Sequence, residues 1–209
     1  MSHVKPFRAW ALFAALFFSA PVFSQIDFKL QWLQDSLAWG VFATPSEGAR
    51  ISNFVIIGSG QATIVAPKGT MFANVKNFSG TWEQNARVDT PKENPGKDYI
   101  SFGLVTADPP MQFIAGVETL LFTFTTKTGD CPETLGLIAA NDPFNKVPNS
   151  ANANPGNDIS VLDPQTQIIF QFNQVYAPDA WDCHPGKVAE QGPFHHGLMK
   201  KKPQEVNRP

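Results

Sequence analysis

The stretch VETLLFTFTTK, residues 117–127, carries the clearest structural signal in the chain. Leu120, Phe122 and Phe124 occupy every second position in it, and the polar Thr123 and Thr125 occupy positions of the other set. Successive side chains of a strand point to opposite faces, so this alternation is typical of a strand with one buried face. It predicts that Leu120, Phe122 and Phe124 share the core-facing side.

The same alternation recurs along the chain and predicts further strands. These segments are FKLQWL (28–33), LAWGVFA (37–43), GTMFANVKNF (69–78), GTWEQNARV (80–88), DYISFGLVT (98–106) and TQIIFQFNQV (166–175). SNFVIIG (52–58) and QATIVAP (61–67) read as two strands of a hairpin, because Gly58-Ser59-Gly60 separates them. TLGLIAAND (134–142) is predicted as a short helix or an extra strand.

Eight or nine strands with almost no helical periodicity predict an all-β protein, an antiparallel β-sandwich or jelly roll. The eighteen phenylalanines would supply its core, and the eighteen prolines its turns.

The N-terminus has the layout of a secretory signal peptide. Lys5 and Arg8 precede an apolar run from Ala9 to Phe18, which is too short to span a bilayer. A buried N-terminal helix is the alternative. We therefore expect a signal peptide over 1–24, one sandwich domain over 25–186 and a disordered basic tail over 187–209. The mature protein would be secreted, extracellular or periplasmic, with no membrane span.

The two cysteines, Cys131 and Cys183, both lie in turn-like sequence. Disulfides persist in oxidising compartments, so export favours a Cys131–Cys183 bridge. Two separate buried thiols are the alternative.

The charge of the chain and the positions of its histidines argue against nucleic-acid binding and against catalysis that uses a histidine base. Residues 25–186 contain nine basic and sixteen acidic residues, which argues against nucleic acid as a partner. The four histidines, His3, His184, His195 and His196, lie outside the strand-rich body. A Ser-His-Asp or Cys-His site would therefore lack its base there.

The acids around the loop 89–98 leave an enzymatic alternative open. A pair of carboxylates is the machinery of glycoside hydrolysis, and their separation in space cannot be read from sequence. The candidates are Glu83, Asp89, Glu93 and Asp98.

Two loops are candidate binding regions. Aromatic rings make good contact platforms, so Trp82, Arg87 and Tyr99 beside the proline-bearing loop 89–98 are predicted as a ligand site. The alternative for Trp82 is the core. The loop 141–158 is rich in Asn and Asp, and its candidate ligands for Ca²⁺ are Asn154, Asn157 and Asp158, although no EF-hand spacing is present. An ordinary polar loop is the alternative.

The segments GSGQATIVAPKGTMF (58–72), GTWEQNARVDTPKENPGKDYISFGLVT (80–106) and AGVETLLFTFTTKTGDC (115–131) together resemble cohesin-like domains of secreted bacterial surface proteins. These belong to the wider group of carbohydrate-binding-type jelly rolls. The resemblance covers roughly residues 28–176 and implies a sandwich fold. Scaffold cohesins bind a dockerin helix pair on one sheet face, but this chain has no recognisable dockerin.

The leading hypothesis is a secreted, non-catalytic binding or adhesion module that recognises protein or polysaccharide at the cell surface. The alternatives are a glycoside hydrolase that uses the clustered carboxylates, and a structural surface component that assembles with its own copies through edge strands.

Overall fold

The computed structural model describes residues 24–132 and 134–176 of the 209-residue chain. This part contains ten strands and one 3-10 turn, Pro143–Asn145, which confirms the all-β prediction. The strands are β1 Ser24–Leu33, β2 Ala38–Pro45, β3 Ile56–Pro67, β4 Phe72–Asn77, β5 Thr81–Asp89, β6 Lys97–Thr106, β7 Thr119–Thr126, β8 Gly136–Leu137, β9 Asp158–Asp163 and β10 Ile168–Val175.

The strands form one continuous sheet with the order β4-β7-β2-β1-β10-β9-β3-β6-β5, and β8 pairs with β3. Its neighbours are antiparallel except β1 and β10, which are parallel. The sheet is therefore mixed, unlike the purely antiparallel expectation. Parallel neighbours need a long connection, and here most of the sandwich lies between the two strands in sequence.

The sheet folds over on itself, so that β4-β7-β2-β1 faces β9-β3-β6-β5 across the core. Phe102 on β6 lies 4.9 Å from Phe122 and 5.8 Å from Phe124, both on β7, between ring centres. Phe72 on β4 lies 4.5 Å from Phe124. Burying one such ring contributes about 2–3 kcal/mol. This aromatic layer fulfils the prediction for Phe122 and Phe124.

A bulge in β7 overturns the prediction for Leu120. Val41 pairs with Phe122 but Phe42 pairs with Leu120, so Leu121 is an additional residue on this strand. An extra residue shifts the alternation by one position. As a result Leu121 is buried in the core, while Leu120 joins the outward-facing Phe42.

The predicted hairpin at Gly58-Ser59-Gly60 is also wrong, because β3 runs through it as one twelve-residue strand. Its first half pairs with β9 and its second half with β6. A Cβ on Gly60 would lie 2.7 Å from the Trp82 ring. The glycine therefore allows close packing rather than a turn.

A second, smaller core lies on the outer side of β3, β5 and β6. Tyr99, Ile138 and Phe144 are buried in it, with Val65 and Val88 packed against them. The segment 138–157 thus covers this outer face. For TLGLIAAND (134–142) a short helix or an extra strand was predicted. The structure contains the extra strand, β8, which lies just before the covering segment.

The predicted signal peptide and basic tail fall outside the described residues, apart from Ser24, where β1 begins. Across residues 24–132 and 134–176, no helix has the length and hydrophobicity to cross a membrane.

Candidate functional site

Trp82 is a core residue and not the exposed platform that the loop hypothesis needed. It is 1% exposed, and its ring centre lies 5.4 Å from that of Phe122. Its Nε1 donates a hydrogen bond to Ser79 O at 2.8 Å. Although β5 is an edge strand, Trp82 lies on its inward face, so the core alternative is correct.

Tyr99 is equally buried, at 1% exposure. Its hydroxyl donates to Asp142 Oδ1 at 2.9 Å and accepts from Asn94 Nδ2 at 3.1 Å. Burial, reinforced by the hydrogen bond to Asp142, raises the pKa of Tyr99 far above its ordinary value. The ring packs against Phe144 at 4.5 Å, so it anchors the covering segment and is not available to a ligand.

Arg87 belongs to a structural clamp. Its Nη2 donates to Asp98 Oδ2 at 2.6 Å, its Nε to Asp89 Oδ1 at 2.6 Å and its Nη1 to Thr70 O at 2.7 Å. The predicted Trp82–Arg87–Tyr99 contact surface is therefore not formed, because all three side chains are engaged within the fold.

Three of the four candidate catalytic carboxylates are likewise engaged. Asp89 and Asp98 share Arg87. Glu93 accepts from Ser150 N at 2.7 Å and from Ser150 Oγ at 2.6 Å, and the hydroxyl bond lowers the pKa of Glu93. Glu83 is exposed on β5. This arrangement gives the hydrolase alternative no support.

The oxygens proposed for Ca²⁺ anchor the loop 141–158 to β3. Asn157 Oδ1 accepts from the Thr63 N–H at 2.9 Å, and Asp158 Oδ2 accepts from Ser59 Oγ at 2.6 Å. The backbone oxygen of Asn154 accepts from Gln61 Nε2 at 3.1 Å. Within the described part of the chain, no three His, Cys, Asp or Glu residues are grouped to hold a metal ion. The geometry therefore favours the polar-loop alternative.

Cys131 follows β7 and packs, half-buried, against the main core. Cys183 lies outside the described residues, so the pairing of the two cysteines stays a prediction.

A large surface depression lies on the outer face of β7, beside β4 and β2. It has a volume of about 780 Å³. We call it the outer groove, and its lining is Leu33, Ser36, Ala38, Asn74, Val75, Lys76, Phe78, Leu120, Thr123 and Thr125.

Apolar side chains of the outer groove are open to solvent. Val75 is 39% exposed and Phe78 is 49% exposed, whereas Leu33 and Leu120 are half-buried. The bulge in β7 turns Leu120 toward the groove, and the bulge in β4 between Ala73 and Lys76 shifts the alternation ahead of Phe78. The result is a recessed apolar surface that no segment within residues 24–132 and 134–176 covers.

The face beside the groove is held by a buried cation. Lys29 forms an ion pair with Glu118, and its Nζ lies 5.1 Å from the centre of the Phe42 ring. A Cβ on Gly40 would lie 2.9 Å from Phe42, 3.0 Å from Leu33 and 3.2 Å from Leu120. Closely packed side chains thus surround the glycine on this outer face, which makes the surface pre-formed.

Sequence reasoning missed this surface because alternation assigns every large apolar residue of a strand to the core. The one usable signal was the apolar residue at a turn, Phe78 in KNFSG. Comparisons with protein-family models, curated proteins and solved structures found no match.

Proposed function

We propose that this protein is an exported, non-catalytic binding or adhesion module that recognises a protein partner through the outer groove. The observation that carries the proposal is a pre-formed apolar groove on one outer face of the sandwich, which the described part of the chain leaves open. Contiguous exposed apolar surface in a soluble protein marks an interaction site.

The contrast between the two outer faces supports this choice of surface. Where β3, β5 and β6 present Val65, Val88 and Tyr99 outward, the segment 138–157 covers them. The face that carries Val75 and Phe78 has no such cover among the described residues. The chain thus covers the apolar side chains around Tyr99 with a segment of its own, whereas no described segment covers Val75 and Phe78, and this difference favours a partner at the groove.

The lining favours protein over polysaccharide. Sugars are usually bound on exposed Trp or Tyr rings, and the lining of the outer groove contains neither. The groove lining combines large apolar side chains with polar ones, and such a mixture is typical of a contact between proteins; the apolar ones are Leu33, Val75, Phe78 and Leu120, and the polar ones Ser36, Asn74, Lys76, Thr123 and Thr125. The cohesin-like resemblance, which implies recognition on a sheet face, points the same way.

The test is binding of the purified, processed chain to an array of extracellular proteins, which includes the protein itself, and to a glycan array. We expect protein ligands and a loss of affinity of about tenfold or more for Phe78→Lys, because a central apolar contact is replaced by a charge. Ile114→Lys is the matched control, since Ile114 is 63% exposed on the β6–β7 loop, away from the groove lining.

Retention of glycans with equal affinity by both variants would contradict the proposal. Hydrolysis of labelled polysaccharides that depends on Glu83 or Glu93 would instead favour the glycoside hydrolase alternative.

A further inference from the structure

A second exposed apolar surface lies on β3, β9 and β10. Ile56 pairs with Leu162, and Leu162 pairs with Ile169, so the three side chains form one row across three strands. Ile56 is 47% exposed and Ile169 is 55% exposed. Phe54, at 63% exposure, precedes this row by two residues. We call Phe54, Ile56, Leu162 and Ile169 the ridge.

The ridge and the outer groove lie on opposite sides of the molecule. The groove is on the outer face of the β4-β7-β2-β1 half, and the ridge is on the outer face of the half that contains β9 and β3. The layer of Phe102, Phe122 and Phe124 separates the two halves.

The two surfaces have complementary shape and charge. The groove is recessed and contains the cation Lys76, whereas the ridge consists of projecting side chains. Asp158 is exposed on the outward side of β9, in the same alternating set as Leu162. Asp158 lies four residues before Leu162, so a carboxylate lies on the same outward face as the ridge, whereas Lys76 lines the groove. Opposite charges on the two faces favour contact between them.

We infer that the partner of the outer groove is the ridge of a second copy of this chain, so that copies assemble head to tail. The inference rests on the proposed function and names the partner of the same site. A two-fold dimer would cover only one of the two surfaces, whereas a head-to-tail contact covers both. Such a contact leaves a free groove at one end and a free ridge at the other, and the assembly is open-ended.

Assembly through sheet edges is disfavoured by the same structure. The edge strands β4 and β5 both carry bulges, between Ala73 and Lys76 and between Gln84 and Ala86. Bulges twist an edge and interrupt its row of hydrogen-bonding groups. The copies would therefore assemble through the outer faces of the sandwich, and not through edge strands as the structural alternative in the sequence analysis supposed.

The experiment measures the mass of the full, processed chain by sedimentation velocity and light scattering over a wide concentration range. We expect the average mass to rise with concentration beyond that of a dimer. Phe78→Lys in the groove and Ile169→Lys in the ridge should each be monomeric at concentrations at least tenfold above those at which the wild type assembles. Ile114→Lys should assemble like the wild type.

Mixing the two variants gives the decisive outcome. Ile169→Lys retains an intact groove and Phe78→Lys retains an intact ridge, so an equimolar mixture should form a one-to-one dimer and stop there. A two-fold dimer would not be restored by mixing. Val75→Lys replaces Phe78→Lys if circular dichroism shows that the latter is unfolded.

A wild type that stays monomeric at every concentration, or that reaches a plateau at a dimer, overturns the inference. If the wild type is monomeric but Phe78→Lys loses affinity for a foreign protein, the proposed function stands without self-assembly. If Phe78→Lys changes neither self-assembly nor protein binding, both are wrong.

Discussion

Asp98 is a single buried carboxylate that holds two loops in place. It is 1% exposed, and its Oδ2 accepts from Gly69 N at 2.7 Å and from Arg87 Nη2 at 2.6 Å. Its Oδ1 accepts from Thr90 N at 3.1 Å. Because these donors come from the β3–β4 turn, β5 and the loop 89–98, the carboxylate fixes all three relative to one another.

We expect Asp98→Asn to lower the free energy of unfolding by about 2–3 kcal/mol, because it removes the buried one of the two carboxylates that pair with the half-buried Arg87. Asp89→Asn is the matched control. Its carboxylate is mostly exposed, so removing that pair should cost less than about 1 kcal/mol. Urea unfolding measures the loss of unfolding free energy in both variants. Equal losses would contradict the role of Asp98 as the carboxylate that fixes these segments.

Asp163 makes stability depend on pH. Burial acts to raise its pKa, but hydrogen bonds from Ser52, Gln165 and Thr166 outweigh burial and hold the pKa of Asp163 below its ordinary value. A depressed folded-state pKa stabilises the fold above the unfolded value of about 4, and this contribution is lost as pH falls through the folded pKa.

The stability difference between wild type and Asp163→Asn should therefore be constant near neutral pH and shrink below about pH 4. Urea unfolding at a series of pH values measures this difference. If the stability difference between wild type and Asp163→Asn increased on acidification, the pKa of Asp163 would not be lowered in the folded state.

Among the elements, the segment 138–157 behaves as a cover with a core of its own. Phe144 is fully buried against Tyr99, and Asp142 receives the Tyr99 hydroxyl. Glu93 and Ser150 join this cover to the loop 89–98. None of these contacts reaches the aromatic layer between β6 and β7.

We expect Phe144→Ala to loosen the cover without unfolding the sandwich. A buried Phe→Ala change costs about 3–5 kcal/mol, and here the loss falls on the small core. Amide exchange should accelerate in 138–157, while β7 keeps its protection.

Phe122→Ala, at the centre of the main core, should instead accelerate exchange throughout the sheet. If Phe144→Ala also accelerated amide exchange throughout the sheet, the small core around Tyr99 would not be independent of the main core.

At the scale of the whole molecule, β10 directs the chain toward Cys131. It runs parallel to β1, and Tyr176 N donates to Phe28 O at 2.7 Å. The far end of β1 lies beside the start of β2, whose Trp39 pairs with Phe124 near the end of β7. The chain thus leaves β10 in the direction of the end where Cys131 follows β7.

We predict one Cys131–Cys183 bridge in the exported protein. The seven residues from Tyr176 to Cys183 can span about 23 Å when extended, so the direction of β10 favours the pairing. Closing a loop of about fifty residues contributes on the order of 4 kcal/mol, and Cys183→Ser should lower the Tm accordingly.

Non-reducing peptide mapping of the exported chain tests the bridge directly. Two thiols that react with an alkylating agent in the native protein would show that the bridge is absent.

Alternation predicted most of the strands and the class of fold, because it is a local property of each segment, but it did not predict β9, Asp158–Asp163. Phe122 and Phe124 were correctly predicted as core residues on that ground. The predictions that failed depended on distant partners: the bulge in β7 turned Leu120 outward.

Tertiary structure alone decided which residues are available to a partner. Trp82 and Tyr99 are buried because β7 and the segment 138–157 pack over them, from about forty residues further along the chain. Phe78 is exposed because no described segment folds over its face. The local sequence indicates which face of a strand a side chain occupies. Its exposure also depends on which distant segments of the chain pack against that face.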